Sequence, residues 1–243
     1  MSADDQKRAA GEAAAAHVEP GMVVGLGTGS TAAWFVKALA ARKLDGLRCV
    51  PTSEATADLA RELGLTLSTL EDTPRLDLTV DGTDEVGPGL ALIKGGGAAL
   101  LREKLVWEAS NRCLVIADAA KVVKTLGKFA LPIEVVAFGH KTTANRIADV
   151  LADHDIAMPA RLRTAPPQAA SLREASVGDK LAGVVRTDGG NVIYDAACGA
   201  IHDPARLASD LKLITGVVEH GLFLDLADLA IIGGDGGVEI LTP

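Results

Sequence analysis

Apolar and polar positions in the first 130 residues alternate between two patterns. MVVGLG (22–27), LRCV (47–50), LDLTV (76–80) and RCLVIAD (112–118) are short, nearly continuous apolar runs, as expected of strands covered on both faces. Helix-length segments separate them: the Ala-rich residues 3–18, ended by Pro20 and Gly21, then TGSTAAWFVKALAARK, PTSEATADLARELG and KGGGAALLREKLVWEAS (94–110). Strands alternating with helices predict βαβ units around a parallel sheet, the α/β class.

The pattern changes after about residue 130. LPIEVVAF, TTANRIADVLADHD and VVRTDGGNVIYDAA suggest a β-α-β-β order, and DPARLASDLKLI adds a helix. VVRT and NVIYD flank Asp188-Gly189-Gly190, a hairpin signal. These segments predict a small α+β domain over 131–216 inserted into a main domain formed by 1–130 and 217–243. In the tail, VVEHGLF and ADLAIIGG supply two more apolar strands. Residues 160–182 have no clear period and contain Pro166-Pro167, which reads as an exposed loop.

Composition narrows the function. The 243 residues are 48% hydrophobic and only 3% aromatic, which suits helices packed closely on a sheet. A formal net charge of -8 argues against a nucleic-acid partner, which needs clustered Lys and Arg. It leaves a phosphorylated small molecule open, since a few local donors hold one phosphate. Cys49, Cys113 and Cys198 are far apart and form no CxxC, so a disulfide framework is not expected. The N-terminal segment is charged and helical, and no apolar run spans a membrane. The expectation is a cytoplasmic protein with no membrane partner.

The ends of the expected strands gather the candidate chemistry: Thr28-Gly29-Ser30-Thr31, then Thr52–Thr56, then Asp81-Gly82-Thr83-Asp84, then Asp118 with Lys121. Ligands of open α/β sheets bind outside the carboxyl ends of the strands. Thr28–Thr31 can cradle an anion at a helix start or merely cap that helix. Lys94-Gly95-Gly96-Gly97 can be a second anion loop or a flexible turn with a solvated lysine. Glu103 follows on a helix that is apolar nearly all round, with Ala99, Val106, Leu100 and Trp107 as wheel neighbours and Arg102, Lys104 and Glu108 elsewhere. It is either a rim carboxylate reaching water or a base poised by burial. Asp81 and Asp84 can bind a metal, cap a turn or move protons. Metal partners are thin, because the five histidines show no HxH or HxxxH spacing and Asp153-His154-Asp155 reads as a solvated loop. GxGxxG fails at Ser30, against a dinucleotide site, and no GxSxG occurs.

GLGTGSTA, DGTDE, KGGGAALLREK and GKFALPIEV together resemble, in content, order and spacing, the type A family of ribose-5-phosphate isomerases. The likeness covers nearly the whole chain. It implies a Rossmann-like parallel sheet with helices on both faces, plus an inserted ferredoxin-like α+β domain. It implies a homo-oligomer, dimer or tetramer, that interconverts ribose 5-phosphate and ribulose 5-phosphate in the pentose phosphate pathway without a cofactor or metal. By the same resemblance Glu103 is the general base, and Asp81 and Lys94 assist ring opening and proton movement. Thr28, Gly29, Ser30, Thr31, Asp81, Gly82, Thr83, Asp84, Lys94, Gly95, Gly96 and Gly97 line the substrate. Lys121 and Lys7 are associated with the phosphate. The rival readings are a non-catalytic sugar-phosphate sensor domain, a coenzyme A transferase-like enzyme with a Glu nucleophile, and a nicotinamide dehydrogenase.

Overall fold

The computed structural model describes residues 1–165 and 183–243. The chain opens with α1 (Ala3–Ala15), β1 (Val23–Leu26), α2 (Ser30–Ala41), β2 (Arg48–Pro51), α3 (Glu54–Glu62) and β3 (Leu78–Gly82). Two short strands, β4 (Glu85–Val86) and β5 (Leu92–Ile93), lead to α4 (Leu100–Glu108) and β6 (Cys113–Asp118). Next come β7 (Leu131–Val135), α5 (His140–Asp153), β8 (Arg161–Leu162), β9 (Val192–Ala196), α6 (Pro204–Lys212) and β10 (Val217–His220). The chain closes with β11 (Leu222–Phe223), β12 (Leu229–Gly234) and β13 (Gly237–Leu241).

The main sheet has the order β13-β12-β6-β3-β1-β2. It is parallel except for the edge strand β13, which pairs antiparallel with β12. Successive side chains of a strand face opposite ways, and both faces are apolar here. Val24, Leu26, Leu114, Ile116 and Ile231 pack with Ala10 and Ala14 of α1 and Phe35, Val36 and Leu39 of α2. On the other face Val115, Ala117, Ala230 and Ile232 pack with Trp107 of α4 and Phe223. The continuous apolar runs of the sequence follow from this two-sided cover. Strand order reverses at β1, which has β2 on one side and β3 on the other, so the crevice at their carboxyl ends is a topological switch point.

The small alanines and Gly11 of α1 let it lie against α2; a Cβ on Gly11 would come within 2.7 Å of the Phe35 nitrogen. A capping box between Ser2 and Asp5 starts α1, an arrangement typically worth about 1 kcal/mol. This seating carries Lys7 to the start of α2.

The second sheet is antiparallel with order β10-β7-β9-β8. With α5 and α6 it forms the β-α-β-β-α-β ferredoxin-like arrangement. Ile147, Leu151, Leu207 and Leu211 of the two helices meet Ile133, Val135, Val192 and Tyr194 of the strands. Its details differ from the sequence expectation at four points. Val217–His220 pairs with β7, so this sheet runs past residue 216. Arg161–Leu162, expected within an exposed loop, forms β8 beside β9; the rest of that stretch, 166–182, lies outside the described residues. The turn at Asp188–Gly190 forms, with the Gly190 N–H bonded to the Thr187 carbonyl at 2.9 Å. Its VVRT arm makes only isolated bridges, Arg186 to Val192 and Val184 to Thr164. His154 meets Asp210 of α6 at 2.8 Å, so it ties α5 to α6 rather than sitting in a solvated loop. A third, three-stranded sheet, β11-β5-β4, delivers Lys94 from the end of β5.

Candidate active site

One cavity at the switch point is lined by Lys7, Thr28, Gly29, Ser30, Thr31, Gly82, Thr83, Asp84, Lys94, Gly95, Gly96, Gly97, Glu103 and Lys121. Of the residues singled out at the strand ends, Thr52–Thr56 and Asp118 do not line it, and Asp81 is fully buried beneath the cavity floor.

The first turn of α2 supplies one wall. Its N-cap is Gly29, with no side-chain capping bond, so Ser30 and Thr31 do not cap the helix. Instead the Ser30 hydroxyl accepts from Lys7 Nζ at 3.2 Å. The opening N–H groups of a helix lack intrahelical acceptors and favour an anion. Thr28 plays another part. Its hydroxyl lies 2.7 Å from that of Thr52 and donates to Ser53 Oγ at 2.8 Å, so it locks the loop to the end of β2. Thr83 likewise donates to the carbonyls of Glu85 and Ile93.

Beneath the cavity lies a buried charge cluster. Lys94, only 1% exposed, places Nζ 3.0 Å from Asp81 Oδ2 and 3.3 Å from Glu103 Oε1, and it also donates to the Gly82 carbonyl. The ammonium therefore has three acceptors for its three protons, and it lies 5.5 Å from the Trp107 ring centroid and 5.4 Å from that of Phe223. The solvated-lysine reading of the Lys94 turn is overturned: β5 ends inside the protein. Asp81 also accepts from the Thr28 N–H at 3.0 Å and the Trp107 indole at 3.2 Å. Gly27 makes room for it, since a Cβ there would stand 2.1 Å from Asp81 Oδ1. Asp84 Oδ2 accepts from the Gly96 N–H at 2.8 Å.

Glu103 is 4% exposed, so it is not a rim residue reaching water. One of its oxygens meets Lys94, and the other, Oε2, is buried without a partner among the described residues. A buried carboxylate oxygen without a donor is rare in a folded protein; among the described residues Glu134 Oε2 is the other such atom.

The family model described as ribose 5-phosphate isomerase A (phosphoriboisomerase A) matches residues 48–237. The chain belongs to the ribose 5-phosphate isomerase A family. A ribose-5-phosphate isomerase A of Caulobacter sp. (strain K31) is 68% identical, with 100% of both chains covered. That of Parvibaculum lavamentivorans is 49% identical, with 99% of both covered. A solved D-ribose-5-phosphate isomerase in complex with phospho-erythronic acid superposes with a TM-score of 0.88 at 35% identity over 100% of both chains. The enzyme from Plasmodium falciparum gives 0.85 at 33% over 99% of both. The chain is thus an aldose-ketose isomerase of ribose 5-phosphate, and the sensor, transferase and dehydrogenase readings fall away.

In this isomerase fold the cluster sets the charge on Glu103. Burial pushes its carboxyl up, Asp81 adds to the push and Lys94 opposes it, leaving the group at about 8. Burial also raises Asp81, against Lys94 and its N–H donors. Burial works against the Lys94 ammonium, but Asp81 and Glu103 together hold it above the usual lysine range. Two carboxyls around one ammonium favour sharing one proton, and the two titrate as a unit. Asp81 has three donors and Glu103 one, so the shared proton rests on Glu103.

Some contributors left no local signal in the sequence. Lys104 sits on a helix side that the wheel did not mark as covered, yet it is buried. Its Nζ bonds Glu219 at 2.7 Å and the carbonyls of His220 and Leu222. Between them, the Gly221 carbonyl accepts the Lys94 N–H at 2.9 Å. The residue after Glu103 thus fastens α4 to the link between β10 and β11. Glu85 holds the loop before β7 by accepting from the N–H groups of Gly127 and Phe129. No helix of the described residues is long and apolar enough to cross a membrane.

Proposed function

We propose that Glu103 is the base of this isomerisation and that the cavity binds ribose 5-phosphate in one orientation, with the phosphate among Lys7, Lys121 and the first turn of α2 and the C1–C2 end beside Glu103. The observation that carries this reading is the bare, buried Oε2 of Glu103 in a cavity that two lysines and a helix start also line. In the open-chain aldose, the Glu103 carboxylate takes the C2 proton. The C–H electron pair forms the C1–C2 double bond, and the C1 carbonyl pair moves onto its oxygen. The enediolate then passes the O2 proton to O1, and Glu103 returns its proton to C1, giving the ketose with no net gain or loss.

The developing oxyanion needs fixed donors, each worth about 3–4 kcal/mol, and the glycine loop that lines the cavity can supply one from its backbone. Asp84, held through one oxygen by Gly96, is the carboxylate at the sugar oxygens. Asp81 does not line the cavity and acts through Lys94 and Thr28, setting the proton affinity of Glu103. Phospho-erythronic acid, seen with the related isomerase, carries a phosphate and a carboxylate, the two charged ends of such an enediolate. The same reading makes the chain a cytoplasmic, cofactor-free homo-oligomer, dimer or tetramer. Phe138 and Leu213, 93% and 83% exposed, offer apolar surface for subunit contact.

A coupled assay of ribose 5-phosphate conversion after exhaustive dialysis against EDTA tests the metal-free scheme. Full turnover is expected. Loss of turnover restored by one particular metal overturns it.

A further inference from the structure

The glycine loop Gly95–Gly97 has no side chains to hold it, and Gly95 has φ +106. Such a segment is conformationally free unless something outside it fixes it. Arg163, just past β8 in the small domain, reaches across to it. Its Nη1 donates to the Gly95 carbonyl at 2.9 Å and the Gly96 carbonyl at 3.1 Å. Asp195 of β9 holds the same guanidinium by two contacts, Nε to Oδ2 at 2.8 Å and Nη2 to Oδ1. The Arg163 side chain is only 15% exposed.

A peptide unit is planar and trans, so its N–H points opposite to its C=O. In the Gly95–Gly96 unit the carbonyl is on Arg163 and the N–H is on Asp84. In the Gly96–Gly97 unit the carbonyl is also on Arg163, so the Gly97 N–H is turned away from it. Gly97 lines the cavity, and its N–H bonds no described residue. A cation on the carbonyls also polarises both peptide units and strengthens their N–H groups as donors.

We propose that Arg163, braced by Asp195, is a positioning residue: it orients the glycine loop so that the Gly97 N–H and the Asp84 carboxylate face the reacting oxygens of the sugar. The small domain is then part of the catalytic apparatus rather than an appendage. This rests on the isomerase reading above. Lysine cannot substitute, since one ammonium cannot fork Asp195 and hold two carbonyls.

The test compares the parent chain with Arg163→Ala, Arg163→Lys and Asp195→Asn, measuring kcat, KM and competitive inhibition by inorganic phosphate. A catalytic group misplaced by about 1 Å can cost on the order of a hundredfold. Arg163→Ala is therefore expected to lower kcat by about that factor, with KM and the phosphate inhibition constant within about threefold, because Lys7, Lys121 and α2 are untouched. Arg163→Lys should remain impaired, Asp195→Asn should show a smaller loss of kcat, and added guanidinium ion should restore part of kcat to Arg163→Ala alone. The proposal is overturned if kcat of Arg163→Ala stays within threefold of the parent. It is equally overturned if phosphate inhibition weakens in step with kcat, or if Arg163→Ala cannot be obtained folded and Asp195→Asn matches the parent. A parent chain that fails to convert ribose 5-phosphate sinks the isomerase reading itself, a result separate from any of these.

Discussion

Replacing Lys94 by Met removes the cation that pairs with two buried carboxyls and leaves the Gly82 carbonyl without its Lys94 donor. Met has a similar reach, so the cavity floor keeps its bulk. Breaking a buried ion pair from one side costs about 3–5 kcal/mol, which for a chain of this length lowers Tm by roughly 10 °C. The loss depends on pH. With Lys94 gone, nothing opposes the effect of burial on Asp81 and Glu103, and both carboxyls rise further above their unfolded values. The folded state then holds more protons than the unfolded one, so stability falls as pH increases from the ordinary carboxylate range upward. Activity suffers for the same reason. With Glu103 at about 8 in the parent, roughly a tenth of it is ionised at pH 7, and each further unit upward costs about tenfold. Thermal unfolding at pH 5.5 and 8.5 and the pH profile of kcat/KM measure both effects. The expected result is a near-normal Tm in acid, a Tm depressed in base, and kcat/KM lower by at least about tenfold at neutral pH. A variant with parental kcat/KM at pH 7 and a Tm gap that does not widen with pH refutes the role given to the cluster.

Two further outcomes follow from the same geometry. In the parent chain, kcat/KM should fall as pH drops through about 8, far above the 4.5 of an unperturbed glutamate; an acid limb near 4.5 means that Glu103 is not the titrating base. Lys121→Ala should raise KM with kcat nearly unchanged, because a phosphate contact is made equally in ground and transition states; a fall in kcat at constant KM places Lys121 at the reacting carbons.

The parallel core was legible because strands covered on both faces leave unbroken apolar runs, such as Leu114–Ala117. The site motifs were legible because the backbone itself gathers strand ends on one edge. Glu103 was only half legible. Its wheel shows apolar neighbours, but burial depends on β10 and β11 closing over α4, which no local period records. The same closure hid Lys104, whose partner Glu219 is 115 residues away. β8, with two residues, is too short for alternation to register. Arg163 carries no sequence signal either, because its meaning lies in a contact with glycine carbonyls 67 and 68 positions earlier. Asp81 and Asp84 look equivalent in the DGTD run, and only the fold separates them, one into the core and one into the cavity.

Transfer of the C2 proton to Glu103 is the step on which all of this depends. Ribose 5-phosphate carrying deuterium at C2 should lose label to water, at least in part, when the parent chain turns it over. Glu103→Gln keeps the size of the side chain and an oxygen for Lys94, so Tm should change little in acid and phosphate should still inhibit competitively. Its kcat should fall by about a hundredfold to ten-thousandfold, and the label should stay on carbon. If Glu103→Gln releases C2 deuterium at the parental rate, another group takes the proton, and the role assigned to Glu103 is wrong.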